Sequence, residues 1–394
     1  MKPTFRRTMI ACYISHIVQA VVNNFLSLLF VMFETDYAIS VAQLTLLISV
    51  NFAVQLAVDL LATRFVDRIG YRVSVLAAHV FSAVGLLLLP ILPEMMDPFT
   101  GVLISMVMYA MGGGLIEVVS SPIIESCPTT HKEAAMSLLH SFYCWGHVGV
   151  VLLSTAFFYV CGIENWKWLA IVWAMIPAAN FFLFLRAPIG TLISADERGM
   201  SFGELVGSKL FWILFAMMFL SGASEQALVQ WSSAFAEQTL GIPKWIGDLA
   251  GPMAFAVCMG SARAFYGKHG DRIDLDRFMQ RSGILCVFSY LLTVLSPLPV
   301  FSLLGCALCG LSVGILWPGT YSKAAKALRR GGTAMFAMLA VAGDLGCSAG
   351  PSVVGVVSDL CKNNLKAGIL AAVLFPLCLL GSLRLEKACR KPGA

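Results

Sequence analysis

A chain of 394 residues that is 58% hydrophobic and only 12% charged is not a soluble domain, because soluble domains carry about 25% charged residues. The net charge of +5 does not point to nucleic acid. The basic residues stand in short loops between apolar runs, the pattern of positive-inside topology. The twelve cysteines mostly lie inside those runs. The spacing Cys306-Ala-Leu-Cys309 falls within one of them and reads as small residues at a helix contact rather than a redox or metal site.

Twelve apolar segments can be marked, each long enough for a hydrocarbon core of about 30 Å. Backbone polar groups need internal partners in lipid, and the segments lack strict alternation, so all twelve are predicted helices. Lys2, Arg6 and Arg7 precede the first, Thr8–Phe33. At about 26 residues it is too long for a signal-peptide core and reads as an uncleaved span. It carries His16, Gln19 and Asn23 at i, i+3 and i+7, with Asn24 beside them. The second, Ala42–Thr63, carries Asp59, which is assigned to a cytoplasmic gate. After it comes the loop Thr63-Arg-Phe-Val-Asp67-Arg68-Ile-Gly70-Tyr-Arg72.

Val73–Leu92 is the third segment. The fourth, Thr100–Ile123, contains Gly112-Gly-Gly-Leu-Ile-Glu117-Val-Val-Ser-Ser-Pro122, and Glu125 follows it. An ionised acid near the centre of a bilayer costs roughly 2.5–3.5 kcal/mol even on the lenient insertion scale. Glu117 is therefore a candidate proton or substrate site. Glu117, Ser121 and Glu125 share a helix face, and Glu125 is assigned to the gate. The fifth segment, Ala134–Val160, carries His140, Tyr143 and His147, and Trp166–Leu185 is the sixth.

The most polar loop, around Ser194-Ala-Asp-Glu-Arg, then divides the chain into a first half (1–186), a cytoplasmic linker (187–208) and a second half (209–394). Leu210–Phe235 carries Glu225, Gln226, Gln230 and Trp231, and Ile246–Phe265 carries Arg263 at its cytoplasmic end. Phe278–Leu295 follows. Val300–Tyr321 supplies Trp317 and Tyr321. Ala334–Val357 sets Asp344 between Gly343 and Gly346, and Ala367–Leu385 is the last.

Shifting the chain by 200 residues aligns Gly70 with Gly270, Arg72 with Arg272, Gly114 with Gly314, Gly146 with Gly346 and Cys161 with Cys361. Matching helix order at one shift indicates a parallel internal repeat. Two six-helix halves of this kind form a transporter with a mid-depth substrate site. If the N-terminus is cytoplasmic, Lys167, Lys244, Lys362 and Lys366 are the outer-loop cations. Both termini are then cytoplasmic, and a bacterial inner membrane is the expected location.

The loop from Asp67 to Arg72 resembles the acidic-basic-x-Gly-x-basic turn of the major facilitator superfamily, with Thr63 replacing its leading glycine. The resemblance implies an all-α membrane protein of twelve transmembrane helices in two six-helix halves. It also implies a gate in which Asp67, Arg68, Gly70 and Arg72 act, with Asp59, Glu125 and Arg263. The run Gly112–Pro122, the pattern His140-Ser-Phe142-Tyr143-Cys-Trp-Gly146, the pair Asn23-Asn24 and the run Gly343–Pro351 resemble the fucose–proton symporter branch. Two departures stand out: Ser27 occupies the place of that branch's aspartate, and Tyr143 that of an asparagine.

The resemblance implies proton-coupled uptake of a small polar solute, often a sugar. Glu117, Asp344 and His147 are the candidate proton-coupling residues. His16, Gln19, Asn23, Asn24, Glu117, Tyr143, Glu225, Gln226, Gln230, Trp231, Trp317 and Tyr321 are the candidate substrate contacts, since amides and acids meet hydroxyls while aromatic faces stack on a sugar ring. Acids without a basic residue at mid-depth favour a neutral or cationic solute. The alternative is proton-driven efflux of cationic or amphipathic compounds. The histidines are scattered, so a membrane enzyme is not expected, and neither is a cofactor or metal. The expected partners are a solute, protons and the bilayer, with the chain a monomer.

Overall fold

The structure is a computed structural model. It describes residues 3–190, 192, 200–243, 246, 247, 249–362 and 364–390, and of their side chains all but those of residues 3, 4, 41, 45, 63, 64, 67, 238, 249 and 390. Among the described residues there is no strand. Twelve helices follow one another. α1 (Pro3–Asn24) continues through a 3-10 turn at Leu26–Leu29 into a short helix, Phe30–Asp36. α2 is Val41–Ile69, α3 Tyr71–Leu88, α4 Pro98–Ser126, α5 Lys132–Cys161 and α6 Trp166–Arg186. α7 is Lys209–Gln238, α8 Ala254–His269 and α9 Leu275–Leu295. α10 (Pro299–Val313) resumes as Leu316–Ala327, α11 is Gly332–Leu360, and α12 (Leu365–Ala372) resumes as Leu374–Arg390.

Local chemistry sets these ends. Ser40 and Gln43 exchange side-chain-to-backbone hydrogen bonds at the start of α2, a capping box. Asp97 accepts the Thr100 amide ahead of Pro98 and so starts α4. That hydrogen bond holds the Asp97 carboxyl below its ordinary value. Gly70 turns α2 directly into α3 at φ +85°, a value that β-carbons disfavour. The proline-containing helices α4, α6 and α11 run on through Pro122, Pro177 and Pro351.

Eleven helical runs among the described residues are long and apolar enough to cross a membrane. The remaining expected span, Ile246–Phe265, is entered through a π turn at Leu249–Met253 that contains Pro252, and then becomes α8. Lys244, Trp245 and Asp248 lie outside the described residues, as do residues 193–199 with the most polar part of the linker. Within the linker, Ser201 and Glu204 cap a short helix, Phe202–Gly207.

The chain forms two compact units, residues 1–129 with 142–194 and residues 130–141 with 195–394. The start of α5 belongs to the second unit because it lies tightly on α8. Ser137 donates to the Arg263 carbonyl at 2.8 Å and Ser141 to the Gly260 carbonyl at 3.1 Å. In the first unit a buried polar knot joins α1, α3 and α6. Asn180 Nδ2 lies 2.8 Å from the His79 ring, 3.2 Å from Ser15 Oγ and 2.9 Å from the Ala11 carbonyl. Such knots matter more in lipid, where water cannot satisfy a stranded group.

The repeat reappears as matching close approaches inside each unit. A β-carbon on Gly114 of α4 would stand 3.1 Å from Val58 of α2, and one on Gly314 of α10 2.8 Å from Ala262 of α8. A β-carbon on Gly146 of α5 would stand 3.0 Å from Ala20 of α1, and one on Gly346 of α11 would overlap the Phe219 carbonyl of α7. Small residues thus let equivalent helix pairs approach backbone to backbone. Gly346→Val should therefore lower stability by about 1–3 kcal/mol through overpacking. Gly381→Val, where an added β-carbon meets nothing within 4 Å, should leave it unchanged. Thermal unfolding of the two purified variants in detergent checks the pair.

Candidate functional site

Each unit holds its own polar constellation. In the first, α1, α2, α4 and α5 contribute. Gln19 Nε2 donates to Glu117 Oε2 at 2.7 Å. Asn23 donates to the Tyr143 hydroxyl at 3.5 Å and accepts Gln55 Nε2 at 2.9 Å. Asn24 turns back to the Ala20 carbonyl of its own helix at 2.8 Å. Gln19 and Gln55 are buried, while Glu117, Asn23, Asn24 and Tyr143 remain partly accessible. His16 is buried one turn before Gln19, and His147 stands half-buried one turn after Tyr143. Fixed amides beside a carboxylate that is still reachable make a set of donors and acceptors suited to hydroxyl groups.

The second constellation centres on Arg263 of α8. Its Nε donates to the Gly314 carbonyl of α10 at 2.9 Å, its Nη1 to the His140 carbonyl of α5 at 3.3 Å and its Nη2 to Glu225 of α7 at 3.4 Å. Gln226 donates to the other Glu225 oxygen at 3.4 Å. Nearby, the six-membered ring of Trp317 of α10 lies so close to Gly343 of α11 that a β-carbon there would overlap it. Tyr321 packs edge-on to Trp317 at 6.4 Å and tilts against His140 at 5.7 Å and Phe336 at 5.3 Å. Trp231 donates to the Pro351 carbonyl at 3.0 Å. Asp344 stands half-buried beside Gly343. Gln230, a candidate substrate contact, is exposed.

The expectation for Arg263 needs correction. It does not face the cytoplasmic loops from a helix end. It is 4% exposed and reaches the middle of α7, where it neutralises Glu225. The absence of a basic residue near the buried acids therefore does not hold. The other gate candidates divide. Asp59 is fully buried rather than near an open helix end. Arg68 is exposed, Glu125 is half-buried close to the end of α4, and the Asp67 side chain lies outside the described residues. Arg72 is engaged within the first unit. Its guanidinium donates to the Phe184, Leu185 and Ala187 carbonyls at 2.7–2.9 Å, satisfying the otherwise open end of α6.

Two features escaped the sequence reading. Gln55 stands between Asn51 and Asp59 in a buried i, i+4, i+8 polar stripe on α2, a spacing that was available to find it. Lys323 of α10 is buried and pairs with Asp276 of α9 and with Glu386 of α12, the latter at 2.6 Å. Among the described residues no group of three or more His, Cys, Asp or Glu could hold a metal ion. All twelve cysteines are unbridged, and the thiols of Cys286 and Cys309 lie 4.0 Å apart.

These helices and their polar constellations define an all-α membrane transporter fold. The chain belongs to the Major Facilitator Superfamily, whose sequence profile matches residues 12–351. No curated protein matches the sequence. Among solved structures, the E. coli fucose:proton symporter superposes with a TM-score of 0.79 at 15% identity, covering 99% of this chain and 100% of its own. The proton:xylose symporter bound to 6-bromo-6-deoxy-D-glucose gives 0.78 at 10% identity, covering 96% and 94%. The human organic anion transporter MFSD10 gives 0.73 at 15%, covering 97% and 100%. At these identities the likeness is one of fold.

The Lys323 cluster yields a direct expectation. Breaking a buried ion pair by removing one member costs about 3–5 kcal/mol. Lys323→Met should lower stability by that order, and Lys323→Met combined with Glu386→Leu should recover part of the loss. A double-mutant cycle on thermal unfolding measures both.

Proposed function

We propose that this protein is a proton-coupled secondary transporter of a small neutral polar solute, a sugar being the fitting class, working by alternating access. The observation that carries this reading is the Gln19–Glu117 hydrogen bond, set beside Asn23, Gln55 and Tyr143. It joins a protonatable carboxylate to amides that can bond hydroxyls in either direction. The sugar:proton symport named for two structural neighbours supports the same class.

The second constellation agrees with a neutral solute. Glu225 and Arg263 pair with each other there. The efflux reading needs Glu225 as a counter-charge for a cation. Its pairing with Arg263 weakens that alternative.

In this reading Glu117 is the proton carrier, and His16, Gln19, Asn23, Asn24 and Tyr143 serve the solute. Asp344 and His147 are secondary candidates for the proton path. Both termini face the cytoplasm. Glu117→Gln keeps the shape and the Gln19 contact but cannot titrate. In proteoliposomes it should abolish accumulation against a gradient while leaving solute counterflow within about twofold of the parent, since counterflow needs no net proton transfer. Uphill transport that survives the substitution intact removes Glu117 from the proton path.

A further inference from the structure

Two tiers of polar side chains can be read across α1, α2 and α4. Successive helices alternate in direction, so within the first unit α1 runs against α2, and α2 runs with α4. The upper tier is fixed by contacts. Gln55 of α2 donates to Asn23 of α1 at 2.9 Å. A β-carbon on Gly113 of α4 would stand 3.1 Å from Val22 and 3.5 Å from Gln55 Oε1, and one on Gly114 would stand 3.2 Å from Gln55 Cα. Asn23, Gln55 and Gly113 therefore occupy one level.

One helical turn, about 6 Å, leads from this level to the next in the same direction on all three helices. It takes Asn23 back to Gln19, Gln55 forward to Asp59 and Gly113 forward to Glu117. Two of these three residues meet as the register requires, with Gln19 bonding Glu117 at 2.7 Å. Asp59 is the third member. Its side chain points inward, being fully buried on the Asn51–Gln55–Asp59 stripe, while Phe52, Leu60 and Leu61 on the other faces of α2 are exposed.

We propose that Asp59 is the second proton-binding carboxyl of the transport cycle, sharing one proton with Glu117 across the tier that Gln19 completes. This rests on the proton-coupled reading of Glu117. The proton enters from the medium and leaves to it, with no bond made or broken in the solute. Two nearby carboxylates resist simultaneous ionisation, so the pair titrates as a unit. Gln19 suits both states, because its NH2 donates to a carboxylate and its carbonyl accepts from a carboxylic acid.

The other titratable groups on the surrounding helices are Cys12, Tyr13 and His16 on α1, Tyr109 and Glu125 on α4, and Tyr143, Cys144 and His147 on α5. Arg64, Asp67 and Arg68 lie further along α2 itself. His79 on α3 is engaged with Val75, Ser15 and Asn180.

The test is an infrared titration of carboxyl groups in purified protein, which needs no solute. Parent, Asp59→Asn, Glu117→Gln and the double variant are compared, with Asp59→Glu as the variant that keeps an acid. Removing Asp59 should move the Glu117 midpoint to lower pH by about one unit or more, the size that marks a coupled pair. Removing Glu117 should move the Asp59 midpoint the same way. Asp59→Glu should restore coupling. A Glu117 midpoint unchanged in Asp59→Asn, or an Asp59 midpoint unchanged in Glu117→Gln, overturns the assignment. If Asp59→Asn does not fold, the Glu117→Gln titration decides alone. Proton-driven uptake is assayed separately in the parent. Its absence rejects the transport reading, while the infrared result still decides whether the two acids are coupled.

Discussion

The structure depends on one constraint. In a chain with so few charges, an acid or base drawn into the apolar bundle needs a polar partner, and Glu117, Glu225 and Glu386 each find one on another helix of the same unit. The hydrogen bond from Gln19 to Glu117 is the case on which the proposed function rests. Glu225 and Glu386 are held differently, by Arg263 and Lys323. The same residue type is thus met by an amide in one place and by a cation in another.

The glycines make this arrangement possible. Gly113 and Gly114 bring α4 against α2 closely enough for Gln55 to sit level with Asn23. Gly343 leaves room for the Trp317 ring. Gly114 with Gly314, and Gly146 with Gly346, repeat the same helix approaches in the two units. The internal repeat is therefore a repeat of packing geometry, and side-chain chemistry was free to diverge on it. Glu117 in one half corresponds to Trp317 in the other: one position holds a titratable group and the other an apolar face.

Much of the fold was legible in the sequence. Segment length and hydropathy gave the helices, and the 200-residue shift exposed the repeat, because both are set by the bilayer and by backbone approach. The Gln19–Glu117–Tyr143 region was also legible, since isolated polar residues at helical spacing stand out in an apolar run. Arg263 and Lys323 were not. Each lies toward the end of an apolar segment, where a base is ordinarily a topological charge, and only the path of a neighbouring helix reveals the acid it reaches. The full burial of Asp59 likewise depends on helices from elsewhere in the chain, which no single segment carries.

The proposed function requires solute and proton to move together through this chain. The most direct measurement is the pH of a weakly buffered bath around proteoliposomes when a transported sugar, chosen from a panel containing L-fucose and D-xylose, is added outside. Coupled entry should alkalinise the bath immediately, in time with sugar entry, and a protonophore should dissipate the change. Sugar entry with no movement of protons would contradict it.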